Sequence, residues 1–297
     1  KKINNSVSIK VRKQYEENPY PRWSSLDLNK DDTVLISDFI KKRQLKVYDE
    51  KIKKIKNPKV LIAGCGTGRQ SIQAASHYKN SNILAIDISL KSLSYAKRKS
   101  QELGYDNIKY IQADILDLEN INEKFDIIEC TGVLHHMDDP IAGWKVLSNI
   151  LKVGGLMKIG LYSKFARQDI TKIRNEIKQL KINNDVSAIK KFRSEIIDSI
   201  KPHHINIKNS DDFYSMSNLR DLLFHIHESN FKLSEISKHL NDLNLSFSGF
   251  EGCSMIKEFK SENSASEDLY DLEKWDQFEK KNKQTFAGMY QFWCQKL

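Results

Sequence analysis

The stretch Val60-Leu61-Ile62-Ala63-Gly64-Cys65-Gly66-Thr67-Gly68 constrains this chain more than any other. Four apolar residues end in glycines at 64, 66 and 68, and a helix-like segment, Arg69 to Tyr78, follows. A continuous aliphatic run reads as a strand buried in a parallel sheet. Glycines at its carboxyl end let the chain turn sharply and let backbone N–H groups approach a ligand with no Cβ in the way. That places a ligand at the carboxyl edge of an open sheet. A dinucleotide fingerprint would need glycine where Arg69 stands, and no Gly-Lys-Ser/Thr follows to cradle a phosphate.

Three more runs repeat the pattern. Ile83-Leu84-Ala85-Ile86-Asp87 ends in a carboxylate about 20 residues beyond the loop, where an acid can accept both hydroxyls of a ribose or cap a helix. Ile108 to Asp114 again ends in a carboxylate. Phe125 to Cys130 leads into Thr131-Gly132-Val133-Leu134-His135-His136. Strands that alternate with helices and carry polar groups at their ends predict an α/β sheet with a ligand site along one edge.

In this order the motifs resemble those of class I S-adenosylmethionine-dependent methyltransferases. The matching segments are Ala-Gly-Cys-Gly-Thr-Gly (63–68), Ala-Ile-Asp (85–87), Gln-Ala-Asp-Ile (112–115), Val-Leu-His-His-Met-Asp-Asp-Pro (133–140) and Leu-Lys-Val-Gly-Gly-Leu-Met-Lys-Ile (151–159). The resemblance covers roughly residues 58–163. It implies an enzyme with a Rossmann-like, seven-stranded, doubly wound sheet and S-adenosylmethionine as cofactor. Gly64, Gly66 and Gly68 are then expected along the methionyl part, Asp87 at the ribose, and Asp114 with Ile115 at the adenine. Cys65, Ile88 and Cys130, beside these motifs, join the expected cofactor contacts.

Residues 18–23 (Asn-Pro-Tyr-Pro-Arg-Trp), 220–225 (Arg-Asp-Leu-Leu-Phe-His) and 285–293 are similar to methyltransferase domains fused to tetratricopeptide repeats in bacteria. A looser likeness is to bacterial lysine methyltransferases that act on outer-membrane proteins. The acceptor this implies is a nitrogen or oxygen, on a protein side chain such as lysine or on a small molecule.

The prolines at 19 and 21 exclude regular helix from Tyr15 to Trp23. This rigid aromatic turn, with Tyr15, Tyr20, Arg22 and Trp23, can fold over the cofactor or simply pack as an arm. Arg22 could pair bidentately with the methionyl carboxylate, and tyrosine faces such as Tyr20 suit a sulfonium cation. His136 is a candidate base near the transferred methyl, although the His135-His136 pair also fits a structural role. Tyr162, Tyr214, Arg220, Asp221 and His225 are expected to shape the acceptor pocket, and Tyr214, Arg220 and His225 join His136 as catalytic candidates. His203, His204, His225, His227 and Glu228 are metal-ligand types. The His225-x-His227 spacing points the two rings to different faces of a helix, so no metal is expected.

The boundaries predicted are an N-terminal arm and helix (1–57), a cofactor core (58–163), a helical acceptor-site insertion (164–230) and a C-terminal part of the sheet (231–297). Residues 32–56 read as helical, as do 164–201 (a charged pair broken at Pro202), 218–228, 233–241 and about 266–282. Strands are expected at 156–162, 245–250 and from Tyr290. Ser89 and Pro140 mark helix starts.

The chain has 297 residues, 39 % hydrophobic, and a net charge of +9. No apolar run approaches the ~20 residues of a membrane span. Four scattered cysteines and no secretory signal point to reduced thiols and a cytoplasmic setting. Lysines interleave with acids along helix faces and no nucleic-acid motif is present, so the basic balance reads as composition. A nucleic-acid methyltransferase remains the alternative enzyme, and a non-catalytic cofactor-binding module the alternative outside enzymes. The Lys1-Lys2 start, without methionine, is that expected of a piece of a longer polypeptide.

Overall fold

The glycine-ended strand sits inside the sheet, with a parallel neighbour on each side. The structure, a computed structural model, describes residues 5–26, 28 and 33–297. Two helices, α1 (Ser6–Glu17) and α2 (Ile36–Lys42), precede an alternating core. The core runs β1 (Lys59–Ala63), α3 (Arg69–His77), β2 (Asn82–Asp87), α4 (Leu90–Glu102), β3 (Ile108–Gln112), β4 (Phe125–Thr131), α5 (Pro140–Ile150) and β5 (Leu151–Ser163). Helices α6 (Gln168–Gln179), α7 (Val186–Asp198), α8 (Pro202–Ile207) and α9 (Met216–Phe224) follow. The chain then returns through β6 (Asn230–Phe231), α10 (Leu233–Asp242), β7 (Leu245–Phe250), α11 (Cys253–Glu262), α12 (Leu272–Lys281) and β8 (Tyr290–Lys296).

The strand order is β3-β2-β1-β4-β5-β8-β7, with β6 paired to β5. Strands β1 to β5 pair in parallel, and β8 runs antiparallel to both β5 and β7. The order reverses between β1 and β4, and the crevice outside their carboxyl ends is where such sheets bind ligands. Period-2 alternation sends β1 side chains to two cores. Leu61 and Ala63 join α5, α10 and α12 on one face, while Val60 and Ile62 join α2, α3 and α4 on the other. Helices α6 to α9 gather a third apolar cluster around Ile173, Ile189, Phe192, Phe213 and Leu223.

The expected doubly wound sheet is present, with the two-residue β6 added to its seven longer strands. The helix starts also hold: Ser89 Oγ accepts from Ser92 N, and Pro140 is the first residue of α5. Several local expectations are corrected. Helix extends through Tyr15 to Glu17, because the prolines restrict the chain only from Asn18 onward. Asn5 starts α1, its side chain accepting from Val7 N and Ser8 N. The helix expected over 32–56 shrinks to α2 and a 3-10 turn at Glu50–Lys54. Pro202 opens α8 rather than a loop, since a first-turn proline forfeits no helical bond. Helix α11 went unread, and β5 begins five residues early. Lys1-Lys2, Asp32 and the thiol of Cys253 lie outside the described residues.

Gly68 is a packing position. Its φ is +91°, and an added Cβ would lie 2.6 Å from the Cβ of Ala96 in α4. Gly68→Ala is expected to destabilise the fold by about 1–3 kcal/mol through strain at a left-handed position, read as a lower urea midpoint. The folded fraction should still gain thermal stability from cofactor, and an unchanged urea midpoint would refute the packing role.

Candidate functional site

A cavity of about 340 Å³ lies where the carboxyl ends of β1 to β4 converge. Its floor is the glycine loop. Gly64 N and Cys65 N both donate to Ile86 O at 2.9 Å, so the turn out of β1 hangs from β2. Gly66 N donates to Asp87 Oδ2 at 2.8 Å, and Ser89 N donates to Asp87 Oδ1 at 2.8 Å. Asp87 thus clamps the loop and still offers free lone pairs to the cavity. Burial pushes its carboxyl up to about 6, against the pull of those backbone donors. Asp114 caps the 3-10 turn Ile115–Asn120 through Oδ1, which accepts from Leu116 N at 3.1 Å, leaving Oδ2 for a ligand.

The arm closes the cavity from the other side. Thr67 Oγ1 donates to Pro21 O at 2.5 Å, and Trp23 Nε1 donates to Thr67 Oγ1 at 3.0 Å. A Cβ on Gly66 would meet Tyr20 O at 2.5 Å, so the close approach this glycine permits is that of the arm as well as of a ligand. From α1, Ser8, Val11 and Tyr15 also line the cavity.

Of the expected cofactor contacts, Tyr20, Gly64, Cys65, Gly66, Asp87, Ile88, Asp114 and Ile115 line the cavity. Three do not. Cys130 is wholly buried in the core because strand alternation gives the cavity its neighbour Thr131. Gly68 packs on α4. Arg22 is exposed outside the cavity, since Pro21 and Trp23 on either side are tied to the loop. Arg69, at the start of α3, lines the cavity instead, and its position directly after the glycine loop was the available signal.

The far end is built from four separated elements. His136 comes from the turn after β4, Tyr162 from the end of β5, Asp221 from α9 and Tyr15 from α1. Tyr15 Oη lies 3.1 Å from both Asp221 Oδ1 and His225 Nε2. The His136 and His225 rings stack at 3.5 Å and 23°. Both Nδ1 atoms lie 2.8 Å from His227 O. A carbonyl only accepts, so this assigns the ring hydrogens to Nδ1 and leaves each Nε2 with a lone pair. Burial holds both imidazoles well below their ordinary range and uncharged, with a neighbouring histidine adding to the effect. Burial also pushes Asp221 up to about 6. Behind Tyr162, the Arg167 guanidinium stacks 3.5 Å above the ring and is held by Glu228 through two hydrogen bonds of 2.9 and 2.7 Å.

Two expected catalytic residues are elsewhere. Tyr214 is 62 % exposed and donates to Lys208 O, and Arg220 donates to Asn184 O at 2.6 Å. Successive helical residues are turned by about 100°, so in α9 the cavity receives Asp221 and not Arg220. His136 is in place, and His225 stands directly behind it. Among the described residues, two groups have metal-ligand chemistry. One is His136, Asp221 and His225, whose ligand atoms lie within 4.8 Å of one another. The other is Glu176, His203 and His204, where Glu176 already accepts from Lys201 at 3.1 Å and from the two imidazoles at 2.7 and 2.9 Å.

The fold and this cavity define a class I S-adenosylmethionine-dependent methyltransferase. A family model described as a methyltransferase domain matches residues 54–220, more than half of the chain, and the chain belongs to that family. It is 27 % identical over 232 residues to an uncharacterised Synechococcus protein, covering 74 % of this chain and 56 % of that protein. It is 31 % identical over 127 residues to the ubiquinone biosynthesis O-methyltransferase of Colwellia psychrerythraea, covering 42 % of this chain and 50 % of that one. PKMT2 from Rickettsia typhi, solved with AdoHcy, shares the fold at TM-score 0.63 and 17 % identity over 94 % of this chain and 55 % of that chain. The chain thus spans about half the length of these relatives. No helix among the described residues is long and apolar enough to cross a membrane.

Asp87, expected at the ribose, is predicted to set a pH dependence. Ribose hydroxyls donate to a carboxylate, so cofactor favours the ionised form, and affinity rises with pH through the free-protein midpoint of about 6. Calorimetry should show about tenfold weaker binding at pH 5 than at the plateau above pH 7, since one unit below the midpoint about a tenth of the carboxyl is ionised. Asp87→Asn should lose about 1–3 kcal/mol of affinity and most of that pH dependence. Unchanged affinity in a folded variant removes Asp87 from the ribose.

Proposed function

We propose that this chain transfers the sulfonium methyl to the nitrogen of an amine, on a protein side chain or a small molecule. The supporting observation is the far end of the cavity, where the carboxylate of Asp221 lies among Tyr15, Tyr20 and Tyr162. Of the two guanidiniums near this end, Arg167 is bound by Glu228 through two hydrogen bonds, and Arg174 lies 3.6 Å from the same carboxylate. A protonated amine finds there a charge partner and aromatic faces.

In the proposed reaction Asp221 accepts the ammonium proton. The freed nitrogen lone pair attacks the methyl carbon in line, and the breaking C–S pair stays on sulfur. His136 Nε2, uncharged, accepts a second hydrogen bond from the acceptor and orients it. Positive charge disperses in the transition state, so alignment and exclusion of water supply most of the rate. Arg69 takes the methionyl carboxylate. The insertion delivers Asp221, so residues 164–230 choose the acceptor while 58–163 hold the cofactor.

The test is mass spectrometry of a host lysate incubated with labelled S-adenosylmethionine, with and without the protein. Label should appear as N-methyl groups and fall about 100-fold or more with Asp221→Asn, the scale of lost acid–base help, with cofactor affinity retained. Transfer should also fall as pH drops through about 6, as Asp221 takes a proton. Label in nuclease-sensitive material, or full activity of the Asn variant, would overturn the reading.

A further inference from the structure

Tyr15 presents a counting problem. Its hydroxyl has one proton and two acceptors at equal distance, Asp221 Oδ1 and His225 Nε2, both 3.1 Å away. With Asp221 ionised and His225 neutral, only one contact can be a hydrogen bond. Adding one proton to Asp221 satisfies both, because the new Asp221 O–H donates to Tyr15 Oη and the Tyr15 O–H donates to His225 Nε2. His225 can receive it because its Nδ1–H faces His227 O at 2.8 Å, a shorter contact than the 3.2 Å to His227 N that would need the other tautomer. The three side chains come from α1, α9 and the residue after α9, so their convergence is tertiary and specific to this fold.

We infer that Tyr15 and His225 form a hydrogen-bond switch that sets the basicity of Asp221, turning the Tyr15 hydroxyl from Asp221 to His225 when Asp221 takes the acceptor's proton. This rests on the amine reading above. No net charge moves beyond Asp221. The acceptor N–H breaks, the Asp221 O–H forms, and the Tyr15 hydroxyl keeps its own proton while it rotates. Both residues act through Asp221 and are positioning residues. The gain is reversibility: the ionised state is stabilised by the Tyr15 donor, and the protonated state by the new bond to His225.

The charged and titratable groups around the trio come from several elements. His136 stacks on His225 from the turn after β4, and Arg174 of α6 donates to His225 O at 2.8 Å. Arg167, Glu228 and Asp212 act on Asp221 through space. Tyr162 and Asp87 act on Tyr15. Arg167 and Arg174 both lie against Glu228, so none of these duplicates the one-proton exchange at Tyr15.

The switch predicts shifts of opposite sign. The measurement is the Asp221 carboxyl midpoint by carbon NMR in the S-adenosylhomocysteine complex, assigned with Asp221→Asn. His225→Phe keeps the stack on His136 but removes the second acceptor, so the midpoint should fall by about half to one pH unit, the size of one net hydrogen bond. Tyr15→Phe removes the donor to the ionised form, so the midpoint should rise. A shift in the opposite direction, or no shift in either variant, overturns the switch. If His225→Phe does not fold, an unmoved midpoint in Tyr15→Phe suffices to overturn it. Should both shifts appear while Asp221→Asn keeps full transfer into the lysate, the switch stands and the role of Asp221 as base falls.

Discussion

The cavity depends on one carboxylate. Asp87 ends β2, but its two oxygens hold the amide of Gly66 on one side and that of Ser89 on the other. The glycine loop leaves β1 with positive φ at residues 64, 66 and 68, a shape that has no regular hydrogen-bond partners of its own. Ile86 O takes Gly64 N and Cys65 N, Asp87 takes Gly66 N, and the loop becomes an extension of its neighbouring strand. Release of Asp87 would free Gly66, and with it Thr67, on which the arm is hung through Pro21 O and the Trp23 indole. The floor of the cavity and its cover are thus one hydrogen-bonded unit.

The acceptor end has a different logic. It has no single organising residue, and its parts are 15, 136, 162 and 221 in the sequence. Helix α1 spans the two halves. Glu16 Oε1 accepts from Leu90 N at the start of α4, while Tyr15, one residue away, reaches Asp221 and His225 of the insertion region. A helix of twelve residues with little apolar surface has marginal stability alone. It is held by these polar contacts and by Val11, so the cover forms only where core and insertion are both in place.

What the sequence made legible follows from the range of the forces involved. The glycine loop, the strand-end acids and the caps at Ser89 and Pro140 are set by backbone geometry within a few residues, and they stand where local rules put them. Cys130 and Thr131 differ only in which face of β4 they take, and a reading by motif cannot see that face. The same holds for Arg220 against Asp221: the segment was located, but the helical phase that decides which side chain enters the cavity is fixed by Leu219, Leu222 and Leu223 packing on the insertion's own cluster. Tyr15 was named for the arm, yet its partnership with residues more than 200 positions away carries no local signal. Helix α11 does carry a helical marker, Met255, Ile256 and Phe259 at one-turn spacing, which the motif reading does not use.

Two carboxylates head the electrostatics of the cavity. The chain is strongly basic overall, but the two ends of the cavity are headed by carboxylates, Asp87 and Asp221, each pushed up to about 6 by desolvation. Burying such groups costs free energy with nothing opposite them. Of the nearby cations, Arg167 and Arg174 both face Glu228, and the imidazoles are kept neutral. In the proposed reaction a sulfonium and a protonated amine, two positive charges, must meet in a small space. Holding Asp87 and Asp221 ionised at either end, with uncharged rings between, lowers that repulsion without fixing a counter-ion at the reacting carbon. In the proposed reaction, loss of the ammonium proton to Asp221 removes one positive and one negative charge together, so a neutral nitrogen meets the sulfonium.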